Sequence, residues 1–376
     1  MKILMFINQG RSIDPVIIKY LSKHSDVYTI GKVKVDFYIN DDDSVDEKKL
    51  LTFIKEKNIT HFFYSENSSY LPVFLNMLPR TVTKVMFLID THINLKRRLP
   101  YAYLFDMILL VNESDRRPVK KVNPNVYIVT YGADIDTFHK TKSKKVYGVT
   151  FDGNIIPWIH YHRIIMLLYL KIKGINVFHT PATYGDLNPV FNQTKILINR
   201  SPLGGWNMRL FEALSSGVFL LTDGGNKEIE KVFVNKKHLV YYYSLGDLER
   251  KLQYYLSHDN EREKIAITGN RYVRKYYSWD AQVKKMIDIM KSKKIVTVGG
   301  RKNYYLHYFN LQCYSFRDKE RALKSLKSAL ENNEIYYAEY IYSYIKCEIY
   351  LTLSAWAILI LNFIRFNFIN RIFGHK

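Results

Sequence analysis

Arg209 and Glu212 stand three residues apart, behind the loop Gly204-Gly205-Trp206-Asn207 and ahead of Ala213 and Leu214. A guanidinium donates a fork of parallel hydrogen bonds that matches a phosphate. A carboxylate accepts hydrogen bonds from the paired hydroxyls of a ribose. Asn207 is a capping residue type, so the helix carrying Arg209 and Glu212 also aims its positive N-terminal end at whatever lies in the loop. Arginine, carboxylate and helix end together are what a nucleotide-sugar site needs.

The elements that must position these groups are legible on either side. The apolar runs 196–198 and 218–221 read as buried parallel strands, and Gly217 stops the helix between them. A helix that follows a parallel strand starts at the carboxyl edge of its sheet, where α/β proteins bind phosphate-bearing ligands. Upstream, residues 2–8, 27–30, 35–39, 61–64, 85–89, 107–111 and 126–129 read as strands, with helices at 15–24, 44–57 and 70–78. Ser44 and Glu47 read as a capping box for the second helix. Residues 137–145 read as a linker. Strands at 146–151, 177–179 and 238–242 and a helix at 161–173 follow, and then three helices to Ser292. This alternation predicts the α/β class, with two Rossmann-like domains at 1–138 and 139–295. Residues 296–376, set off by Gly299 and Gly300, read as a helical extension.

The segment 195–225 resembles the donor-site motif of GT-B glycosyltransferases near family 4. It is closest to the branch related to spore-maturation glycosyltransferases, where an Asn-Arg pair ends one strand and Arg-x-x-Glu opens the next helix. Here these are Asn199-Arg200 and Arg209-Leu-Phe-Glu212. Tyr131-Gly-Ala-Asp-Ile-Asp-Thr-Phe138 resembles the Gly-x-Asp-x-x-x-Phe opening of the second domain. Tyr277-Ser-Trp-Asp-Ala-Gln-Val-Lys-Lys-Met286 resembles the closing helix with its tryptophan. The resemblance covers residues 1–292. It implies two Rossmann-like domains facing a cleft, the first holding an acceptor and the second a nucleotide-diphosphate sugar. It further implies retaining transfer of a hexose to an acceptor hydroxyl on a glycan, lipid or protein, with no cofactor besides the donor and no metal. In one respect the chain departs from the family. Many family 4 enzymes carry an earlier glutamate, whose position falls on Gly204, so the sugar is left to the backbone N–H groups of Gly204 and Gly205.

Each candidate has a plainer alternative. Glu212 is a ribose-binding carboxylate or a helix-surface partner of Arg209 worth tenths of a kcal/mol; its neighbours Phe211, Ala213 and Leu214 favour a buried position. Arg200 and Arg209 meet the diphosphate, where a cation favours the departing charge, or are surface arginines of a basic chain. Asn199 and Asn207 flank them. Gly153 and Asn154, in the turn Phe151-Asp152-Gly153-Asn154, approach the donor or make an ordinary Asp-Gly turn; Arg163 follows on the next helix. In the first domain the resemblance places Asp90 and His92 at the reacting sugar or acceptor; otherwise His92 is a solvated loop histidine. Tyr64-Ser65-Glu66-Asn67 ends a neighbouring strand. Gly10 and Arg11, after the first strand, complete the donor candidates. His160, His162 and His179 lack partners at metal-ligand spacing, so no metal site is expected.

A hydrophobic fraction of 47% over 376 residues excludes a disordered chain. The net charge of +21 favours anionic partners. Cys313 and Cys347 suggest a reducing compartment. The apolar start 1–8 is too short for an export signal, which places the chain in the cytoplasm. Residues 349–364 are uncharged but number only 16, below the roughly 20 needed to span a bilayer. Residues 366–373 alternate bulky apolar with polar or basic side chains. That pattern suits a helix in an anionic membrane interface, peripheral on the inner face. Two other functions compete: a nucleotide-sugar epimerase or hydrolase on the same fold, and a non-catalytic polyanion-binding protein. Nucleic acid is disfavoured because the aromatics form no stacking platform.

Overall fold

The structure is a computed structural model that describes all residues except 8–12, 42–43, 67–72, 94, 156, 181–183, 202–203, 297–303, 317, 333, 335–336 and 365–376. The chain divides into two units: Met1–Val129 with Val283–Ile360, and Thr130–Gln282 with the chain's end from Leu361. The first contains a seven-stranded sheet of β1 (Lys2–Ile7), β2 (Asp26–Gly31), β3 (Phe37–Tyr38), β4 (His61–Ser65), β5 (Thr83–Leu88), β6 (Met107–Leu110) and β7 (Val126–Ile128). Their order is β3-β2-β1-β4-β5-β6-β7, and every pairing is parallel. Met107-Ile-Leu-Leu110 is buried at every position, because a parallel sheet covered on both faces has no wet side.

Its first helices are α1 (Asp14–Leu21), α2 (Glu47–Lys57), α3 (Leu95–Leu104) and α4 (Arg116–Lys120). The expected capping box at Ser44 is replaced by Asp46, whose carboxylate accepts the Lys49 N–H at 3.0 Å. Ser44 instead accepts from the Asn40 amide at 2.7 Å. The helix expected at 70–78 is a short 3-10 turn, Val73–Asn76, among the described residues.

The second unit carries β8 (Tyr147–Asp152), β9 (Phe178–Thr180), β10 (Thr194–Asn199), β11 (Phe219–Asp223) and β12 (Val240–Tyr242) in the order β12-β11-β10-β8-β9, again all parallel. Its helices are α5 (Pro157–Ile172), α6 (Leu187–Gln193), α7 (Met208–Ser216), α8 (Lys227–Val232), α9 (Leu245–Ser257) and α10 (Asp259–Tyr276), followed by α11 (Trp279–Ser292). Gly217 ends α7 at φ 72°, as its residue type predicts. The two flanking motifs pack on each other. Ala133 donates its N–H to the Tyr277 carbonyl at 2.8 Å and accepts from Trp279 N–H at 2.9 Å. A Cβ on Gly132 would lie 2.7 Å from the Trp279 nitrogen, so only glycine allows that approach. The linker at 137–145 is tied down, with Thr141 N–H on Asn192 Oδ1 at 2.7 Å and Lys145 Nζ on the Thr194 carbonyl at 2.9 Å.

The extension forms α12 (Tyr304–Asn310), a π-helical turn (Leu311–Phe316), α13 (Lys319–Glu331) and α14 (Tyr337–Ile364). The Asp318 side chain caps α13 by accepting the Arg321 N–H at 3.0 Å. Tyr308 and Leu311 join the core of the first sheet, and Tyr305 OH accepts from Asn76 at 3.1 Å. Among the described residues no helix is long and apolar enough to cross a membrane.

Candidate active site

In the second sheet the chain goes from β8 to β9 on one side and then to β10 on the other. The β8/β10 boundary is therefore a topological switch point, where a doubly wound sheet opens a crevice beyond its strand ends. Asp152 closes β8 and Asn199 closes β10. On α7, Arg209 Nη1 donates to Glu212 Oε2 at 2.5 Å, while Nη2 pairs with Asp152 Oδ2. The guanidinium lies 5.6 Å from the centre of the Phe191 ring. One arginine thus joins two buried carboxylates from different elements.

Arg163, on α5, spans the same boundary. It donates Nε to the Arg200 carbonyl and Nη1 to the Asn154 carbonyl, both at 2.9 Å, stapling the turn after β8 to the loop after β10. His179 Nε2 lies 3.1 Å from the Gly153 carbonyl. A Cβ at Gly153 would come within 3.0 Å of Arg163 Nη1. Arg200 is looser, with Nη1 3.8 Å from Asp223 Oδ2, and Asp223 also accepts the Ser201 N–H at 2.9 Å.

The electrostatics follow from burial. Desolvation raises the carboxyls of Asp152, Glu212 and Asp223 above their ordinary range, opposed by Arg209 at the first two and by the Ser201 N–H and then Arg200 at the third. Desolvation also lowers Arg163 to about 10. Three arginines face three carboxylates here, a balanced set ahead of any anionic ligand.

The loop before α7 is held in place. Asn207 Oδ1 accepts the Leu210 N–H at 3.0 Å, and its amide donates to Ser201 Oγ at 2.9 Å. Gly204 adopts φ 74°, and its carbonyl accepts from Asn226, the α8 cap, at 2.6 Å. Gly205 is buried beside it. Asn199 points into the sheet and donates to Thr222 Oγ1 at 2.9 Å, so its side chain ties β10 to β11.

At the carboxyl edge of the first sheet, Glu66 follows β4 and is buried. Its Oε2 accepts the N–H groups of Ile89 and Asp90 at 2.9 and 3.1 Å, and the carboxylate pairs with Arg98 on α3. From the other side Asn112 donates to the Ile89 carbonyl at 3.1 Å and to Thr91 Oγ1 at 3.0 Å, and lies 3.4 Å from His92 Nδ1. The loop bearing Asp90 and His92 is thus clamped from two strands. Gly10, Arg11 and Asn67 lie outside the described residues.

The structure brings Arg209, Glu212, Gly153, Asn154, Arg200 and Asn207 to one sheet edge. Sequence reasoning passed over Asp152 and Asp223 as site residues, and in the first sheet Arg98 and Asn112. The signal was present: Asp152 and Asp223 each end an apolar strand run, and Asn112 follows one within two residues.

Residues 138–288 match the family described as Glycosyl transferase-like. The matched segment lies almost wholly in the second unit. Among solved structures, sucrose-phosphate synthase from Thermosynechococcus elongatus superposes at a TM-score of 0.57, 8% identity, over 77% of this chain and 98% of that one. Alr3699/HepE of Anabaena in complex with UDP-glucose gives 0.59, 11% identity and 78% and 100% coverage. An alpha-glucosyltransferase in complex with UDP and a DNA containing an HMU base gives 0.59, 12% and the same coverages. At these identities the likeness is one of fold, and that fold is GT-B. No curated protein matches the chain in sequence.

Proposed function

We propose that the protein is a nucleotide-sugar-dependent glycosyltransferase whose second unit holds the donor. The observation that carries this reading is the buried Asp152–Arg209–Glu212 cluster at a topological switch point, inside the segment that matches the glycosyl transferase-like family. The Asn199-Arg200 and Arg209-x-x-Glu212 pattern supports the branch nearest the spore-maturation-related enzymes, and the UDP-glucose bound by the Anabaena neighbour supports a hexose as the transferred sugar.

Glu212 is the acceptor for ribose hydroxyls. Arg209 opposes the desolvation of Glu212 and Asp152 and fixes both carboxylates. Of the three arginines described at this edge, Arg200 has the longest ion-pair contact, 3.8 Å to Asp223, and meets the diphosphate together with the α7 N-terminus. In transfer, the bond from the sugar C1 to the diphosphate oxygen breaks and the nucleoside diphosphate leaves with the electron pair. The acceptor hydroxyl oxygen bonds C1 and its proton passes to the departing diphosphate oxygen; the resemblance assigns His92 and Asp90 to the acceptor. Retention and independence of metal follow from the resemblance alone.

The test is a thermal-shift screen of nucleotide sugars followed by calorimetry. A bound donor raises the melting point by mass action. Glu212→Ala should cost about 1.5–3 kcal/mol of donor binding while the fold persists. Unchanged donor affinity in the folded variant removes Glu212 from the site. Donor consumption that needs no acceptor would make the protein a hydrolase or epimerase instead.

A further inference from the structure

Helix α14 has two apolar faces, and only one of them is packed. On the inner face Cys347 is buried, and Tyr340, Tyr350 and Leu351 pack with Phe309, Ala322 and Leu326 of α12 and α13. On the opposite face Tyr342, Ile345, Ile349, Leu353 and Trp356 are all exposed. At 100° per residue these five fall within one arc, about half a turn from Cys347. Ile349, Leu353 and Trp356 are 55%, 65% and 64% exposed, so most of each side chain meets no part of the chain. Such a contiguous apolar stripe marks an interaction surface.

We propose that this outer face of α14 docks on the surface of an anionic lipid bilayer. Charge selects the occupant. From Ile349 to Lys376 the sequence contains no Asp or Glu, and it carries Arg365, Arg371 and Lys376. The whole chain has a net charge of +21. Two such chains repel each other, whereas anionic headgroups attract juxtaposed basic residues. Aliphatic side chains enter the acyl boundary, and Trp356 and Tyr342 suit the headgroup level. The uncharged run is too short to span, so the helix lies in the interface. This inference does not depend on the glycosyltransferase reading.

The experiment is flotation of the full-length protein with vesicles. Phosphatidylcholine containing about 30% phosphatidylglycerol should carry the protein up, pure phosphatidylcholine should carry far less, and about 0.5 M salt should weaken the binding. The triple variant Ile345→Asp/Leu353→Asp/Trp356→Glu should lower the bound fraction at least about tenfold. Val146→Glu, at an exposed apolar residue of the second unit, should leave it unchanged. Near-UV circular dichroism reports whether the triple variant is folded. Independently, lipids brominated on the acyl chain should quench wild-type tryptophan fluorescence by a component that Trp356→Phe lacks. Trp206 and Trp279 are buried and out of reach. No flotation with anionic vesicles, flotation retained by the folded triple variant, or quenching unchanged in Trp356→Phe each overturns the proposal. So does a wild-type dimer that the triple variant converts to monomer without lipid.

Discussion

The carboxyl edges of the two sheets solve one problem in different ways. Each buries carboxylates beyond the ends of parallel strands. At the first edge Glu66 is satisfied by two backbone N–H groups and by Arg98, so the carboxylate is spent on holding a loop. At the second edge Asp152 and Glu212 share the Arg209 guanidinium and, among the described residues, accept no backbone N–H. A carboxylate bonded to backbone is structural. One held only by a shared arginine keeps oxygen lone pairs for a ligand. The second edge is therefore where ligand chemistry is expected, and the first edge is where a loop is positioned.

The largest effect expected from this contrast is at Arg209. Arg209→Ala leaves two carboxylates buried without their counter-ion, a loss of about 3–5 kcal/mol. Urea unfolding should show the second unit weakened and the first unchanged. A variant as stable as wild type would mean that Arg209 does not bridge the pair. A smaller loss is expected at the first edge. Glu66→Ala strands the Ile89 and Asp90 N–H groups and should cost about 2–3 kcal/mol. If the loop serves the reacting groups, His92→Ala should lower turnover about a hundredfold with donor affinity by calorimetry near wild type. Full turnover in His92→Ala would leave the first edge with a structural role only.

The smallest effect is a pH dependence. Burial raises the Glu212 carboxyl above its ordinary 4.5. The folded protein then binds that proton more tightly than the unfolded chain. The stabilisation is full below 4.5 and is lost as pH rises through the raised value. Glu212→Gln abolishes this titration. Unfolding free energy of wild type minus that of Glu212→Gln should fall as pH rises above 4.5. A difference that rises with pH would show that Arg209, and not desolvation, dominates at this carboxylate.

Much of the architecture was legible because apolar runs in doubly wound sheets are local and continuous. Thr194–Asn199 and Phe219–Asp223 stand out as strands, and Asn207 and Gly217 mark both ends of the helix between them. Short helices were not legible. α6 and α8 are too brief to show a period, and α3 contains Pro100.

What the sequence determined by itself is the succession along the chain of the strands and the longer helices, the cap of α7, and the placing of Arg209 and Glu212 on one helical turn. These depend on residue type and on spacing within a few positions. Tertiary structure decided the rest. It brought Asp152 to Arg209 across 57 positions of chain and set Arg163 between two loops. It turned Asn199 inward to Thr222 and Asn112 onto the His92 loop. It also left one apolar face of α14 uncovered. The reason is physical: strand order fixes which loop ends meet, and no local pattern of residues encodes strand order.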